Sequence, residues 1–203
     1  MSDRADKFDW SGGHPALDLV NTLDERPFDP PIETLVTYRD LVTFVELAGL
    51  IEPPTAAGLA RLSGRKCSDT LERTRALREQ LHDVLRAMHS GRPIPLRTLD
   101  AISTAIQLAH VSRKLVAATS QSFTGHVWSD RLAPEIPLHA CAIAVEHLLV
   151  DADRTKVRKC GASDCNVYFI DTSKSQHRQW CSMKGCGNRE KQRRRRSPAL
   201  PID

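Results

Sequence analysis

The chain has 203 residues, 40% of them hydrophobic and 27% charged, with a formal net charge of +4 at pH 7. That length holds one large domain, or a domain of about 150 residues plus a small module. No apolar run approaches the ~20 residues that span a bilayer. The opening residues, Met1 to Lys7, have no apolar stretch behind them, so neither a membrane protein nor a signal peptide is expected, and the expected compartment is the cytoplasm.

The net charge hides an asymmetry. Residues 1–153 carry 16 Lys/Arg against 21 Asp/Glu, whereas residues 154–196 carry 13 against 3. A split this sharp predicts two modules with two jobs. The polar stretch Asp151 to Thr155 marks the expected boundary, giving a mainly helical domain at 1–153, a small module at 154–196 and a tail at 197–203.

In chain order, Pro15 opens a helix carrying Leu17, Leu19, Val20 and Leu23, and the Pro-rich stretch 27–31 breaks it. Thr37 and Asp40 start a helix with Leu41, Phe44 and Val45, and Gly49 stops it. Pro53, Pro54 and Thr55 open a short helix through Leu59 and Leu62. Asp69 and Glu72 are expected to start the longest helix, in which Leu77, Leu81, Val84, Leu85 and Met88 share a face. Gly91, Pro93 and Pro95 end it, and Leu96 to Leu108 forms another. Residues 111–128, with Val111, Leu115, Val116, Phe123, Val127 and Trp128 among Ser, Thr and Gly, read as one β-hairpin. Pro137 opens a nearly all-apolar helix, which predicts burial on several sides. The fold class expected of this part is mainly α with a small β-hairpin.

Four cysteines predict a C-terminal treble-clef-like zinc finger after that mainly α domain. Cys160 and Cys165 form one pair, and Cys181 and Cys186 a second, each with four residues between its members. Two short-range pairs on a spacer of this length are what one tetrahedral Zn2+ needs. A reducing cytosol favours metal over disulfides. The spacing matches neither common ferredoxin pattern, and four thiolates leave no open position for catalytic water. His177 sits mid-strand between the pairs and is expected to face phosphate or solvent. Val167 to Ile170 and His177 to Trp180 read as two strands, with Tyr168, Phe169 and Trp180 forming most of the finger's core. A module of about 40 residues buries too little to fold alone, so the metal supplies much of its stability.

The second cysteine pair opens a basic helix. Arg189, Arg193 and Arg196 share one face, and Lys191, Arg194 and Arg195 widen it. Arg178, with Lys174, Lys184, Arg158 and Lys159, extends the basic surface. Such a density binds phosphate by counterion release, so DNA is the expected partner. A solvated basic tail is the plainer alternative.

Cys141 reads as a buried hydrophobe, and nothing supports a redox role for Cys67. His14, Asp18, Asn21 and Arg26 form a polar set on and after the first helix. Core capping is the preferred reading of that set, and a pocket for a small effector is the sharper one.

The same residues carry a family resemblance. Residues 159–196, through Phe169 to Ser173, Arg178 to Ser182 and the tetrapeptide Cys186, Gly187, Asn188, Arg189, resemble the CGNR zinc finger. His14 to Leu23, followed by Asp40, Leu41 and Ala48 to Leu50, resemble the opening of the ABATE domain. Together they cover nearly the whole chain. The resemblance implies a bacterial, stress-related transcription regulator whose finger binds DNA. One departure is Gln179, where the finger family more often has a second arginine.

The expected function is therefore a zinc-finger DNA-binding transcription regulator whose N-terminal domain senses an effector or mediates assembly. A structural zinc module that binds an acidic protein is the main alternative. RNA binding, with Tyr168 and Phe169 as a stacking face, is another. No catalytic constellation is visible, so an enzyme is not expected.

Overall fold

A computed structural model describes residues 7–117 and 124–196. Phe123 of the expected hairpin and the tail at 197–203 lie outside the described residues.

The chain begins with helix α1 (Pro15–Asn21), in which Ala16 to Asn21 are all buried. His14 caps it, its Nδ1 accepting from the Ala16 amide at 3.2 Å. Strands β1 (Leu23–Asp24) and β2 (Ile32–Glu33) then pair antiparallel around the Pro-rich break. Helix α2 (Tyr38–Leu47) starts on the reciprocal Thr37–Asp40 capping box. It stops at Gly49, whose φ of +70° is costly for any residue with a Cβ. Helix α3 (Pro53–Leu59) follows.

Helix α4 runs Arg65–His89, one turn longer at its start than expected. Gly64, at φ +102°, breaks the preceding chain, and the added turn reaches the core through Cys67. That contact comes from a cysteine that does not read as part of an apolar stripe. Helix α5 (Leu96–Val111), strands β3 (Arg113–Ala117) and β4 (Thr124–Trp128), and the apolar helix α6 (Ile136–Val150) complete the domain. Strands β3 and β4 pair antiparallel with Arg113 opposite Trp128. Among the described residues, no helix is long and apolar enough to cross a membrane.

Beyond α6 the segment Ala152–Lys156 is a 3-10 helix. Strands β5 (Val157–Lys159) and β6 (Tyr168–Ile170) then pair antiparallel, with Val157 opposite Ile170. The strand expected at 177–180 does not form. The Arg178 amide is taken by the Asp171 carboxylate at 2.9 Å, and Gln179 is tied to the first cysteine loop by Gly161 N–H donating to its carbonyl at 2.8 Å. Those backbone groups are spent away from a ladder. A single π-helical turn (Met183–Gly187) leads into helix α7 (Asn188–Arg196).

Two cores result. The larger gathers Leu17, Leu41, Phe44, Leu77, Leu81 and Val145 from the helices, and it also takes in Tyr168 and Ile170 of β6. The smaller is built on Phe169, Val167 and the metal-site cysteines, with Trp180 packed against it. The expectation that Tyr168 helps form the finger's core is thus corrected. Side chains alternate across a strand, so Tyr168 points away from Phe169 and into the helical domain.

Asn21 at the end of α1 makes the junction specific. Its Nδ2 donates to the Tyr168 carbonyl at 3.0 Å, and its Oδ1 accepts from the Tyr168 amide at 3.1 Å. One buried side chain satisfies both backbone groups, as a neighbouring strand would. Nearby, Ile170 N–H donates to the Gly12 carbonyl at 2.9 Å. The Gly12 amide in turn donates to Asp18 Oδ1 at 2.9 Å. A Cβ on Gly12 would lie 2.6 Å from that oxygen, so the close approach requires glycine.

Replacing Asn21 with Ala strands a buried donor and a buried acceptor. The cost should be about 2–4 kcal/mol, read as a lower urea midpoint. A loss below about 0.5 kcal/mol would mean that the clamp is not made.

Asp18 generates a second expectation. Burial pushes its carboxyl up to about 7; the Gly12 amide opposes this and the charge of Asp9 adds to it. Between about pH 4 and 7 the folded protein keeps a proton that the unfolded chain has released, so stability falls as pH rises through that window. At about 1.4 kcal/mol per pKa unit, the loss reaches at most about 4 kcal/mol. Asp18→Asn should flatten this stretch of the stability–pH curve. An unchanged slope would show that the carboxylate is accommodated charged.

Candidate metal centre and basic helix

The four cysteines come from three local devices. Cys160 follows β5, and its amide donates to the Val167 carbonyl at 2.8 Å, closing the first knuckle. Cys165 lies within that knuckle, its amide donating to Ala162 O at 3.1 Å. Cys181 and Cys186 flank and occupy the π-helical turn, which Ser182 caps by accepting from Gly185 N–H at 3.2 Å.

The four Sγ atoms all lie within 4.8 Å of one another. Cys165 and Cys181 are separated by 3.9 Å, and Cys181 and Cys186 by 3.5 Å. Zn–S bonds of about 2.3 Å make a tetrahedron with edges of about 3.8 Å, so the spacing fits one zinc ion. Cys160, Cys181 and Cys186 are buried and Cys165 is half-buried. The chemistry of the donors agrees. Hydrogen bonds from Cys165 and Cys181 hold the Cys160 thiol far below its ordinary value, and the same bonds push their own thiols up. The cluster by itself therefore disfavours thiolates at Cys165 and Cys181, and a divalent cation is what lets them ionise. When bound, zinc supplies structural cross-linking, and the four thiolates fill its tetrahedron. His177 is exposed and stands outside the group.

The basic side chains divide into two sets. Arg178 turns inward: Nε donates to Trp180 O at 2.8 Å, Nη2 donates to Cys181 O, and the guanidinium lies 4.6 Å from the Phe169 ring centre. It braces the loop that carries Cys181. Arg189 donates to Cys186 Sγ at 3.2 Å and pairs with Asp164 at 3.2 Å. Arg193 pairs with Asp164 at 3.2 Å, donates to Ser163 Oγ at 2.5 Å and contacts Glu190. Two members of the expected Arg189–Arg193–Arg196 stripe thus face the first knuckle. They dock α7 on the metal site and offset the negative charge of a four-thiolate zinc.

Lys191, Arg194, Arg195 and Arg196 form the other set. All are exposed, and none has an acidic partner among the described residues. Lys191 and Arg195 share a face four residues apart. Lys159 extends this surface: it borders one cleft with Trp180 and Arg194, and a neighbouring groove with Arg154 and Arg158.

Tyr168 and Phe169 are 2% and 0% exposed, so β6 offers no stacking face for bases. The four residues of the expected effector set do not converge. His14 caps α1 and borders a cavity. Asp18 accepts from Gly12, Asn21 clamps Tyr168, and Arg26 pairs with Glu79 at 2.7 Å. Neither Cys67 nor Cys141 joins the metal group. Burial raises both thiols, Cys141 to about 12. The brace role of Arg178 and the clamp role of Asn21 were not found from sequence, since both depend on partners that no spacing rule reveals.

Cys181→Ser should abolish stoichiometric zinc binding and unfold the finger, measured by metal analysis and loss of near-ultraviolet circular dichroism from Trp180. Full zinc retention with an unchanged spectrum would show that Cys181 is not a ligand.

No curated protein matches the chain. The family model for the CGNR zinc finger matches residues 156–198. The model for ABATE, described as "Putative stress-induced transcription regulator", matches residues 13–152. With its metal-site geometry inside the first match and its helical domain inside the second, the chain belongs to the ABATE family and carries a CGNR zinc finger.

Proposed function

We propose that this protein is a DNA-binding transcription regulator of a bacterial stress response, acting in the cytoplasm, with α7 as its phosphate-contacting element. The observation that carries this reading is the outward set Lys191, Arg194, Arg195 and Arg196. These four cations have no acidic partner among the described residues, on a helix whose start is fixed by the metal site. Cations in that position exchange their counterions for backbone phosphates, which supplies affinity with little sequence information. Lys159 and Arg154 continue the basic surface toward the domain junction.

The N-terminal domain is read as the sensing or assembling part, and the whole as a binding protein rather than an enzyme. One observation favours a protein partner instead: α7 already meets a carboxylate at Asp164 through two arginines, which is how it would meet an acidic protein surface.

The two sets of arginines make the test specific. Duplex DNA is titrated at several salt concentrations with wild type and a Lys191→Ala/Arg194→Ala/Arg195→Ala variant. Each lost phosphate contact should lower the slope of log K against log salt by about 0.9, at unchanged zinc content. Equal affinity and equal slope for both proteins would remove α7 from DNA binding and put the acidic-protein reading first.

A further inference from the structure

A cavity of about 480 Å³ opens between the β3–β4 hairpin, α6, the start of α1 and the segment from Gly49 to the first turn of α3. Its volume is that of a site for a metabolite-sized molecule. The space exists because α6 presents Ala140 and Ala144 there, one turn apart, while Ile143 between them supplies an apolar wall. Pro15, Leu50 and the Trp128 indole extend that apolar lining.

Most of the polar groups around it are arginines and histidines. Arg113 and Arg131 both line the cavity. Arg113 is held with its guanidinium 5.7 Å from the Trp128 ring centre, a stacking contact that orients it without neutralising it. Neither arginine has a carboxylate partner among the described residues. His14, His126 and His147 add ring nitrogens. His14 accepts from Ala16 N–H at Nδ1, so its neutral ring carries its proton on Nε2. Glu52 is the one acidic residue of the lining. It is exposed, and its side chain makes no capping bond to α3.

We infer that this cavity binds a small organic anion, with a negatively charged head met by Arg113 and Arg131 and a flat apolar body seated against Trp128, Ile143 and the two alanines. Guanidinium forks recognise carboxylate, phosphate and sulfonate heads alike, in pairs of charge-assisted hydrogen bonds. The apolar lining rewards a hydrophobic body and gives a free inorganic ion nothing. The site shares only His14 with the polar set on the first helix. It shares no residue with α7, so it stands or falls independently of DNA binding.

The full-length zinc-loaded protein is titrated calorimetrically with 2-naphthoate, with its neutral counterpart 2-naphthalenemethanol and with inorganic phosphate. Naphthoate should bind one to one. The alcohol and phosphate should each bind at least about tenfold more weakly, the equivalent of one charge-assisted hydrogen bond. Arg113→Gln/Arg131→Gln should bring naphthoate down to the affinity of the alcohol and leave the alcohol unchanged. Glu52→Gln removes a repelling charge from the rim and should tighten naphthoate about two- to threefold, a gain that damaged folding does not mimic. The inference is overturned if naphthoate fails to bind at millimolar concentration, if the alcohol binds equally well, or if the arginine variant binds naphthoate as wild type does.

Discussion

Strand β6 is three residues long and has two cores to satisfy. The period of two along a strand forces the division: Tyr168 and Ile170 go to the helical domain, and Phe169 goes to the finger. One edge of the strand is paired with β5. The other receives the Asn21 carboxamide and, at Ile170, the Gly12 carbonyl. The backbone of β6 is thus satisfied from two modules at once. A residue on either face that slipped by one position would exchange the two cores. Among the described residues, β6 is where the two cores meet.

The metal site does the complementary work. A finger core of Phe169, Val167, Trp180 and cysteines is too small to hold α7 in place by burial. Four thiolates on one cation cross-link the two cysteine pairs, and Arg189 and Arg193 extend that cross-link into the first turns of α7 through Asp164. Exposed ion pairs contribute little each, but here they share one acceptor and lie beside the metal. Their effect is orientation more than stability. What remains on the helix is the set Lys191, Arg194, Arg195 and Arg196, which faces water with no acidic partner among the described residues.

The parts legible in the sequence were those set by local chemistry. Cysteine spacing gave the metal group because two knuckles need only short loops. Thr37 and Asp40 gave a helix start because a capping box closes within three residues. Gly49 and Gly91 gave stops because both sit at positive φ. Long-range partners were not legible. Asn21 and Tyr168 are 147 positions apart, and nothing in either's neighbourhood names the other. Tyr168 looks like finger core because it lies between the cysteines, yet strand alternation sends it elsewhere. His177 to Trp180 looks like a strand by composition, but the Asp171 carboxylate captures the Arg178 amide first. The basic stripe had the same ambiguity. Helical spacing shows that Arg189 and Arg193 share a face, but not that Asp164 lies opposite it.

Helix α1 ties the two halves of the molecule together mechanically. It is seven residues long, about 10 Å at the usual rise per residue, and buried along nearly all of that length. His14 and Pro15 at its first turn border the cavity under the β3–β4 hairpin. Asn21 at its last residue holds the backbone of β6. Its surroundings are packed on nearly every side, so the placement of one end of α1 constrains the placement of the other. Because Asn21 satisfies both backbone polar groups of Tyr168, separating α1 from β6 would leave a buried donor and a buried acceptor unpaired.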